Sequence, residues 1–420
     1  MIGNVIIKNA AQLVTCAGAG DRRKGRAMSD VGVVENGTVV ITDGVIVYAG
    51  SSVDAPADPP GHAVIDATGR AVMPGFVDSH THFVFGGYRE EEFSWRMRGD
   101  SYMSIMERGG GIHNTMDATR RAAKEELKEA ARRRLDRMLT LGVTTVEGKS
   151  GYGMDVETEL RQLEVMKELD AEHPVDIVST YMGAHSVPKE YKGRGDDYID
   201  YVIREAMPIV RERGLAEFCD IFTEQGVFDM AQSRRYLAAA RENGFKLKVH
   251  ADEIVQLGGA ELAVEMGAHS ADHLLQVSDN GIRALAGSDT IATVLPCTAF
   301  SLREHYARGR EMIDAGCAVA IATDLNPGSS FTGSIPLAFA LACIYMKLSP
   351  EEALNGLTIN AAAAVGRADR IGSIETGKQG DVVILSYPSY KFLPYNIAMN
   401  CVDTVVKNGV VYKNSEAAKV

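Results

Sequence analysis

From Asn4 to about residue 72, apolar positions come in short alternating runs, 31–34, 39–42 and 45–48, separated by Asn36-Gly37 and Asp43-Gly44. Alternation turns one face of each run toward a core, and Asn-Gly or Asp-Gly between such runs predicts tight antiparallel hairpins. After Pro74-Gly75 the texture changes, and apolar runs alternate with amphipathic stretches in the pattern of repeated βα units. Eight strand cores are predicted, at 72–77, 143–146, 175–182, 218–222, 246–249, 270–274, 291–295 and 318–322, with helices at 116–141, 156–169, 198–213, 230–242, 257–266 and 335–346. Eight such units close a (β/α)8 barrel of the TIM type, which commonly runs to about 250 residues. Two further helical segments, 350–357 and 359–365, lead into strand-like runs at 380–385 and 402–412 with a turn at Lys407-Asn408-Gly409. The expected organisation is α/β: a barrel domain over residues 73–366 and a small β-sandwich domain that both chain ends build together, from 1–72 and 367–420.

The 420 residues are 45% hydrophobic and 24% charged, ordinary for a soluble chain with a large core. A formal net charge of −12 argues against a nucleic-acid partner, which needs a concentrated basic face, and requires a local cation for any anionic substrate. The densest basic run, Arg132-Arg133-Arg134, lies in a helical pattern rich in Glu and Lys and reads as a solvated face. Six scattered cysteines without a CxxC pair fit reduced thiols in a cytoplasmic protein and not a zinc knuckle. The chain has no charged-then-apolar leader and no run of about 18 apolar residues, so it is expected to be neither secreted nor membrane-spanning.

The first barrel strand ends in Asp78-Ser79-His80-Thr81-His82. Two residues apart on an extended segment, His80 and His82 point the same way and can reach one ion. A lone HxH is as readily a pair of ordinary polar residues, but the C-terminal end of a barrel strand is where catalytic groups gather. His250 after the fifth strand, His273 after the sixth and Asp324 after the eighth stand at the same level. Each alone reads equally well as a satisfied core residue. Together they make His80, His82, His250 and Asp324 a ligand set for one zinc or iron, with an open position for water and His273 beside it. Such a metal lowers the pKa of its water toward about 7 and yields a hydroxide nucleophile at neutral pH. Glu253, three residues beyond His250, is placed to carry a proton between that water and a leaving nitrogen, while Asp252 alternates away. Five other histidines, His62, His113, His173, His269 and His305, read as surface or loop residues.

This set resembles the amidohydrolase superfamily: HxH after the first strand, histidines after the fifth and sixth, aspartate after the eighth. Many of its members carry a lysine at the end of the fourth strand that bridges two metals. Here that stretch reads Cys219-Asp220-Ile221-Phe222-Thr223-Glu224, which favours one metal and leaves Glu224 as the residue able to bridge. The His250-x-x-Glu253 spacing is similar to the mononuclear branch, which holds nucleobase deaminases as well as imidazolone hydrolases. The loop segments Gly86-Gly87-Tyr88-Arg89-Glu90-Glu91-Glu92-Phe93, Arg98-Gly99-Asp100-Ser101-Tyr102, Gly109-Gly110-Gly111-Ile112, Lys149-Ser150-Gly151-Tyr152-Gly153, Gly183-Ala184-His185 and Asp324-Leu325-Asn326-Pro327-Gly328-Ser329 are similar to the imidazolonepropionase family. So are Ser270-Ala271-Asp272-His273-Leu274 and Thr358-Ile359-Asn360-Ala361-Ala362, and the resemblance covers nearly the whole chain.

The resemblance implies a homodimer that hydrolyses the ring amide C–N bond of 4-imidazolone-5-propanoate to N-formimidoyl-L-glutamate in histidine degradation. It implies that Arg89 and Tyr152 hold the propionate end, helped by Asn326, Gly328 and Ser329, with His185 on the ring carbonyl and Tyr102 lining the pocket. Hydroxide on the metal would attack the carbonyl, His273 and Asp324 would orient or deprotonate the water, and Glu253, also touching substrate, would protonate the leaving nitrogen. From the residues alone Arg89 reads as a surface ion pair with Glu90 to Glu92, and His185 as structural. Two positions depart from the family: Ser79 stands where proline is usual, and Cys297 follows Pro296 where glycine is usual. The rival readings are a related mononuclear deaminase of a nitrogen heterocycle and a non-catalytic barrel that has lost its metal. The complete ligand set speaks against the second.

Overall fold

In the computed structural model, which describes residues 2–18, 20–100, 108 and 110–414, the chain begins with β1 (Val5–Val14), β2 (Val33–Thr42), β3 (Val45–Ser51), β4 (Ala63–Asp66) and β5 (Ala71–Pro74). Asp43 and Gly44 have φ of 48° and 75°, the left-handed pair that a two-residue hairpin between β2 and β3 requires. Asn36-Gly37, expected as another hairpin, lies instead inside β2. A Cβ on Gly37 would come 2.3 Å from Leu13 Cβ, so this glycine serves close strand packing and not a turn.

The barrel follows as β6 (Phe76–Asp78), β7 (Val143–Lys149), β8 (Asp176–Ala184), β9 (Phe218–Thr223), β10 (Lys246–Ala251), β11 (Ser270–His273), β12 (Ile291–Val294) and β13 (Val319–Ile321), paired in parallel in chain order. The predicted strand 72–77 divides at Gly75, its first half pairing in the other sheet and its second half with β7. A Cβ on Gly75 would lie 2.3 Å from Thr144 Oγ1, so the chain can cross between sheets there only as glycine. Closure is made just past β6 and β13: Asp324 N donates to His80 O (3.0 Å) and His82 N to Leu325 O (2.9 Å). Asp78 accepts from Thr323 N at 3.0 Å and Thr323 Oγ1 at 2.6 Å. The closing seam of the barrel therefore runs through the predicted ligands.

After the barrel, β14 (Val382–Leu385), β15 (Val402–Lys407) and β16 (Val410–Lys413) return to the first sheet, giving the order β16-β15-β14-β5-β1-β2-β3 with β4 on β1. Asn408 and Gly409, with φ of 49° and 75°, repeat the left-handed hairpin pair. The two chain ends thus share one sheet, whose inner face, including Val5, Leu13, Val39, Ile41, Val382 and Ile384, forms its own core.

The predicted helix 116–141 is two helices, Ile112–Arg121 and Lys124–Thr140. Ala122 and Ala123 are extended between them, and Arg161 takes up the carbonyls of Arg120 and Ala122 that the break frees. The basic run inside the second helix is not all solvated. Arg132 and Arg133 pair with Glu172 and Glu129 on the outside, but the 100° step per residue turns Arg134 inward. There it donates to Phe83 O at 2.8 Å, with its guanidinium 3.6 Å over the Phe85 ring. It pins the segment that leaves His82. His173 is also buried, its Nδ1 accepting from Val175 N at 3.1 Å, because the helix before it ends against the start of β8. No helix among the described residues is long and apolar enough to cross a membrane.

Candidate active site

At the C-terminal mouth of the barrel the rings of His80 and His250 are 4.6 Å apart, those of His250 and His273 4.9 Å, and those of His80 and His82 5.6 Å. Asp324 Oδ1 lies 3.5 Å from His80 Nε2, and all of these side chains are buried. Nε2 of His80, His250 and His273 and Nδ1 of His82 nonetheless have no protein partner. A buried polar group left unpaired costs about 1–3 kcal/mol, a cost that a shared cation removes. Donor atoms stand within 4.8 Å of one another in the triplets His80-His82-Asp324, His80-His250-His273 and His82-His185-His250. Imidazoles with one carboxylate fit zinc or iron. Burial first, then the neighbouring rings and Lys149, lowers the pKa of His80, His82 and His250 far below the usual histidine range, leaving their lone pairs free at neutral pH. His273 and Asp324 hold φ of 78° and 53°, in the left-handed region that non-glycine residues seldom adopt.

Beneath the histidines the barrel interior is charged. His80 Nδ1 donates to Asp272 Oδ2 at 2.7 Å, and His250 Nδ1 lies 3.0 Å from Asp220 Oδ2. Lys149 Nζ contacts Asp220 at 2.7 Å, Glu147 at 2.9 Å and Asp272 at 3.4 Å, and Lys248 Nζ contacts Glu147 at 3.2 Å. Against the pull of burial, Asp220, Glu147 and Asp272 hold Lys149 protonated above the ordinary lysine range.

Glu253 sits at the edge of the cluster, Oε1 3.6 Å from His273 Nδ1, and burial with the charges of Asp324 and Glu224 pushes its carboxyl up to about 8. Asp324, whose Oδ2 accepts from Thr298 Oγ1 at 2.6 Å, is raised by burial to about 7. Asp252 indeed turns away, accepting from Leu257 N, Gly258 N, Gly259 N and Ala260 N at the start of a helix. Glu224 does not reach the cluster either; its Oε2 accepts from Ile254 N at 2.9 Å and so anchors the loop behind Glu253. The ring of Tyr152 is 5.5 Å from His82 and 5.3 Å from His185. Its loop is held by buried Glu159, which accepts from the backbone of Gly151, Gly153 and Met154. His185 Nδ1 donates to Gly151 O at 3.1 Å, so its neutral ring presents a bare Nε2, and burial lowers it to about 4.

At the rim, Arg89 donates from Nε at 2.9 Å and Nη2 at 2.8 Å to Glu92 Oε2. The pair is internal, the side chains being 16% and 4% exposed, because Glu92 also accepts from Gly111 N. Arg89 Nη1 lies against Gly328, where a Cβ would come within 2.1 Å of it. Asn326 Oδ1 accepts from Gly328 N and Ser329 N, both at 2.8 Å, which shapes that loop. Tyr102 lies outside the described residues.

The profile of the amidohydrolase family matches residues 71–412. An imidazolonepropionase of Parabacteroides distasonis is 60% identical over 410 residues, 97% of this chain and 98% of the relative. One from Clostridium tetani is 59% identical over 416 residues, 98% and 99% of the two chains. This chain belongs to the amidohydrolase family, in its imidazolonepropionase branch. Among solved structures, an adenosine deaminase from Xanthomonas campestris with bound zinc shares the amidohydrolase fold at TM-score 0.70 and 19% identity, covering 97% of this chain and 92% of that one. A triazine hydrolase from Arthobacter aurescens does so at TM-score 0.73 and 17% identity, covering 99% and 95%.

Two parts of this amidohydrolase site escape a reading by motif. Arg96, seven residues and hence two helical turns beyond Arg89, donates from Nη2 to Gly328 O at 2.8 Å while its buried Nε has no partner. The charged floor is the other: Glu147 and Lys149 alternate inward on β7, but only the barrel brings Asp220 and Asp272 to them. Ser79 Oγ is buried without a partner, and Cys297 is buried with its thiol held protonated by burial and by Asp78 and Asp324.

Proposed function

We propose that the chain hydrolyses the ring amide C–N bond of 4-imidazolone-5-propanoate, giving N-formimidoyl-L-glutamate in histidine degradation, with one zinc or iron held by His80, His82, His250 and Asp324. The unpartnered, deprotonated imidazole nitrogens around one centre carry this reading. When bound, the cation supplies Lewis acidity that makes water a nucleophile at neutral pH.

The residues then divide the work. Asp324 and His273 orient the attacking water and take its proton. Hydroxyl adds to the ring carbonyl carbon, the C–N bond breaks, and Glu253, protonated up to about pH 8, returns a proton to the leaving nitrogen. His185 faces the ring carbonyl, and a neutral ring donates to that oxygen once its proton is carried on Nε2 and Nδ1 is released from Gly151. Arg89 offers the propionate its Nη1 edge, Tyr152 lines the pocket, and Asn326, Gly328 and Ser329 shape the rim against which Arg89 lies. The reading takes residues 1–72 with 367–420 as a β domain beside a hydrolase domain of 73–366, and the assembly as a cytoplasmic homodimer.

Purified enzyme with freshly made substrate tests it. Loss of ring absorbance without ammonia release, at one zinc or iron per chain by elemental analysis, is expected. Ammonia release would turn the reading to a deaminase, and two metals per chain would end the mononuclear assignment.

A further inference from the structure

The two histidines at the centre of the cluster are not oriented independently. His80 Nδ1 hydrogen-bonds Asp272, while His250 is tied to Asp220 by its backbone N–H to Oδ1 at 3.1 Å, its ring Nδ1 lying 3.0 Å from Oδ2 without a hydrogen bond; the two carboxylates come from different strands, β11 and β9. Between them stands one cation: Lys149 Nζ, from a third strand, 2.7 Å from Asp220 and 3.4 Å from Asp272. All five groups are fully buried or nearly so, with no water-facing atom to share the charge. A second ammonium, Lys248, contacts Glu147 and the backbone oxygen of Ser79, and its charge also acts on both carboxylates.

We infer that Lys149 is a positioning residue, which ties Asp220 and Asp272 to one ammonium and so sets the orientation of His80 and His250 together. The ammonium bridges one carboxylate from each arm, so neither carboxylate can turn without disturbing the contact to the other. A carboxylate against Nδ1 fixes the orientation of the ring and leaves Nε2 turned toward the cluster. With Lys149 gone, the two arms compete, and at least one imidazole loses its fixed acceptor. The lysine touches neither substrate nor the ligand nitrogens; it acts through Asp220 and Asp272.

The inference rests on the reading of His80 and His250 as metal ligands, so its test reads metal affinity as well as turnover. Zinc is titrated into the metal-stripped full chain against a fluorescent chelator. Lys149→Met is expected to raise the zinc Kd about 10- to 100-fold, the usual cost of losing support behind a ligand. Glu147→Gln combined with Lys149→Met removes one cation and one anion, keeping the interior charge unchanged while still deleting the ammonium between the two arms. It is expected to show the same loss, and it keeps the test open where the single variant fails to fold. A zinc Kd within about threefold of wild type in either folded variant, whatever the change in Tm, overturns the inference.

A second measurement leaves Lys149 in place. Asp220→Asn should move the Nδ1–H proton resonance of His80 as well as that of His250, and Asp272→Asn that of His250 as well as that of His80, because the ammonium turns to whichever carboxylate remains. Shifts confined to the histidine on the altered arm would show two independent supports and sink the proposal. Wild-type protein that binds no zinc would instead sink the reading of the histidines as ligands.

Discussion

The floor and the rim of the site are built in opposite ways. On the floor, His80, His250, Asp220, Asp272 and Lys149 rise from strands and interlock at 2.7 to 3.4 Å, fully or almost fully buried. At the rim, Arg89, Arg96 and Gly328, partly exposed, and buried Asn326 sit on loops and one short helix, and their contacts run through backbone atoms and one internal ion pair. Strand ends held by a hydrogen-bonded ladder fix donor atoms to within a fraction of an ångström, as metal ligation demands. Loops can exchange side chains without disturbing that ladder, so substrate choice is placed on them.

Substitutions can break this contrast, beginning with the floor. His80→Ala is expected to lose bound metal and essentially all turnover, because it deletes a donor that no neighbour replaces; elemental analysis of the purified variant checks it. A variant that kept a full complement of metal would move His80 out of the ligand set. Glu253→Gln comes next. It preserves shape and metal while removing a proton carrier, with a fall in kcat on the order of 10²- to 10⁴-fold. Near-normal steady-state kcat would pass the role to His273, whose Nδ1 lies 3.6 Å away.

Arg89→Met addresses the rim. The loss of a charge-assisted hydrogen bond, roughly 1.5–3 kcal/mol, predicts a KM higher by about one to two orders of magnitude, with metal content unchanged. A ring analogue without the propionate is the control, and wild type and variant should turn it over equally poorly. An equal loss on both substrates would mean that the ion pair with Glu92 supports the fold and not the carboxylate. The smallest effect is expected from Gly328→Ala, whose new methyl must displace Arg89 Nη1 from 2.1 Å. Crowding of about 1 kcal/mol, or roughly fivefold in KM at constant kcat, is the expected reading from initial rates.

Much of this was legible in advance because it is periodic or local. Hairpins at Asp43-Gly44 and Asn408-Gly409 follow from residues that tolerate positive φ, and the eight strand cores follow from apolar runs of strand length. His80, His82, His250, His273 and Asp324 could be read as one cluster because each ends a strand of the same barrel, and strand ends of a closed barrel converge. The errors were equally physical. Asn36-Gly37 looks like a turn by composition, but its glycine answers the closeness of Leu13, a contact between strands that local pattern does not contain. Arg134 looks like part of a solvated basic run, but one residue's rotation about the helix axis turns it onto Phe85.

By itself, then, the order of residues determined the elements, the candidate donor groups and the family, since these depend on short-range spacing and on side-chain chemistry. Only the tertiary structure decided which charges meet: that Arg89 is paired internally with Glu92, that Arg96 reaches Gly328, that Glu224 anchors a loop instead of bridging metals, and that Lys149 stands between Asp220 and Asp272. Those partners lie up to hundreds of positions apart along the chain. For Lys149, Asp220 and Asp272 the meeting is set by barrel closure and strand register, which bring to within 3.4 Å groups that no spacing rule relates, and in a dry interior that proximity governs their charge.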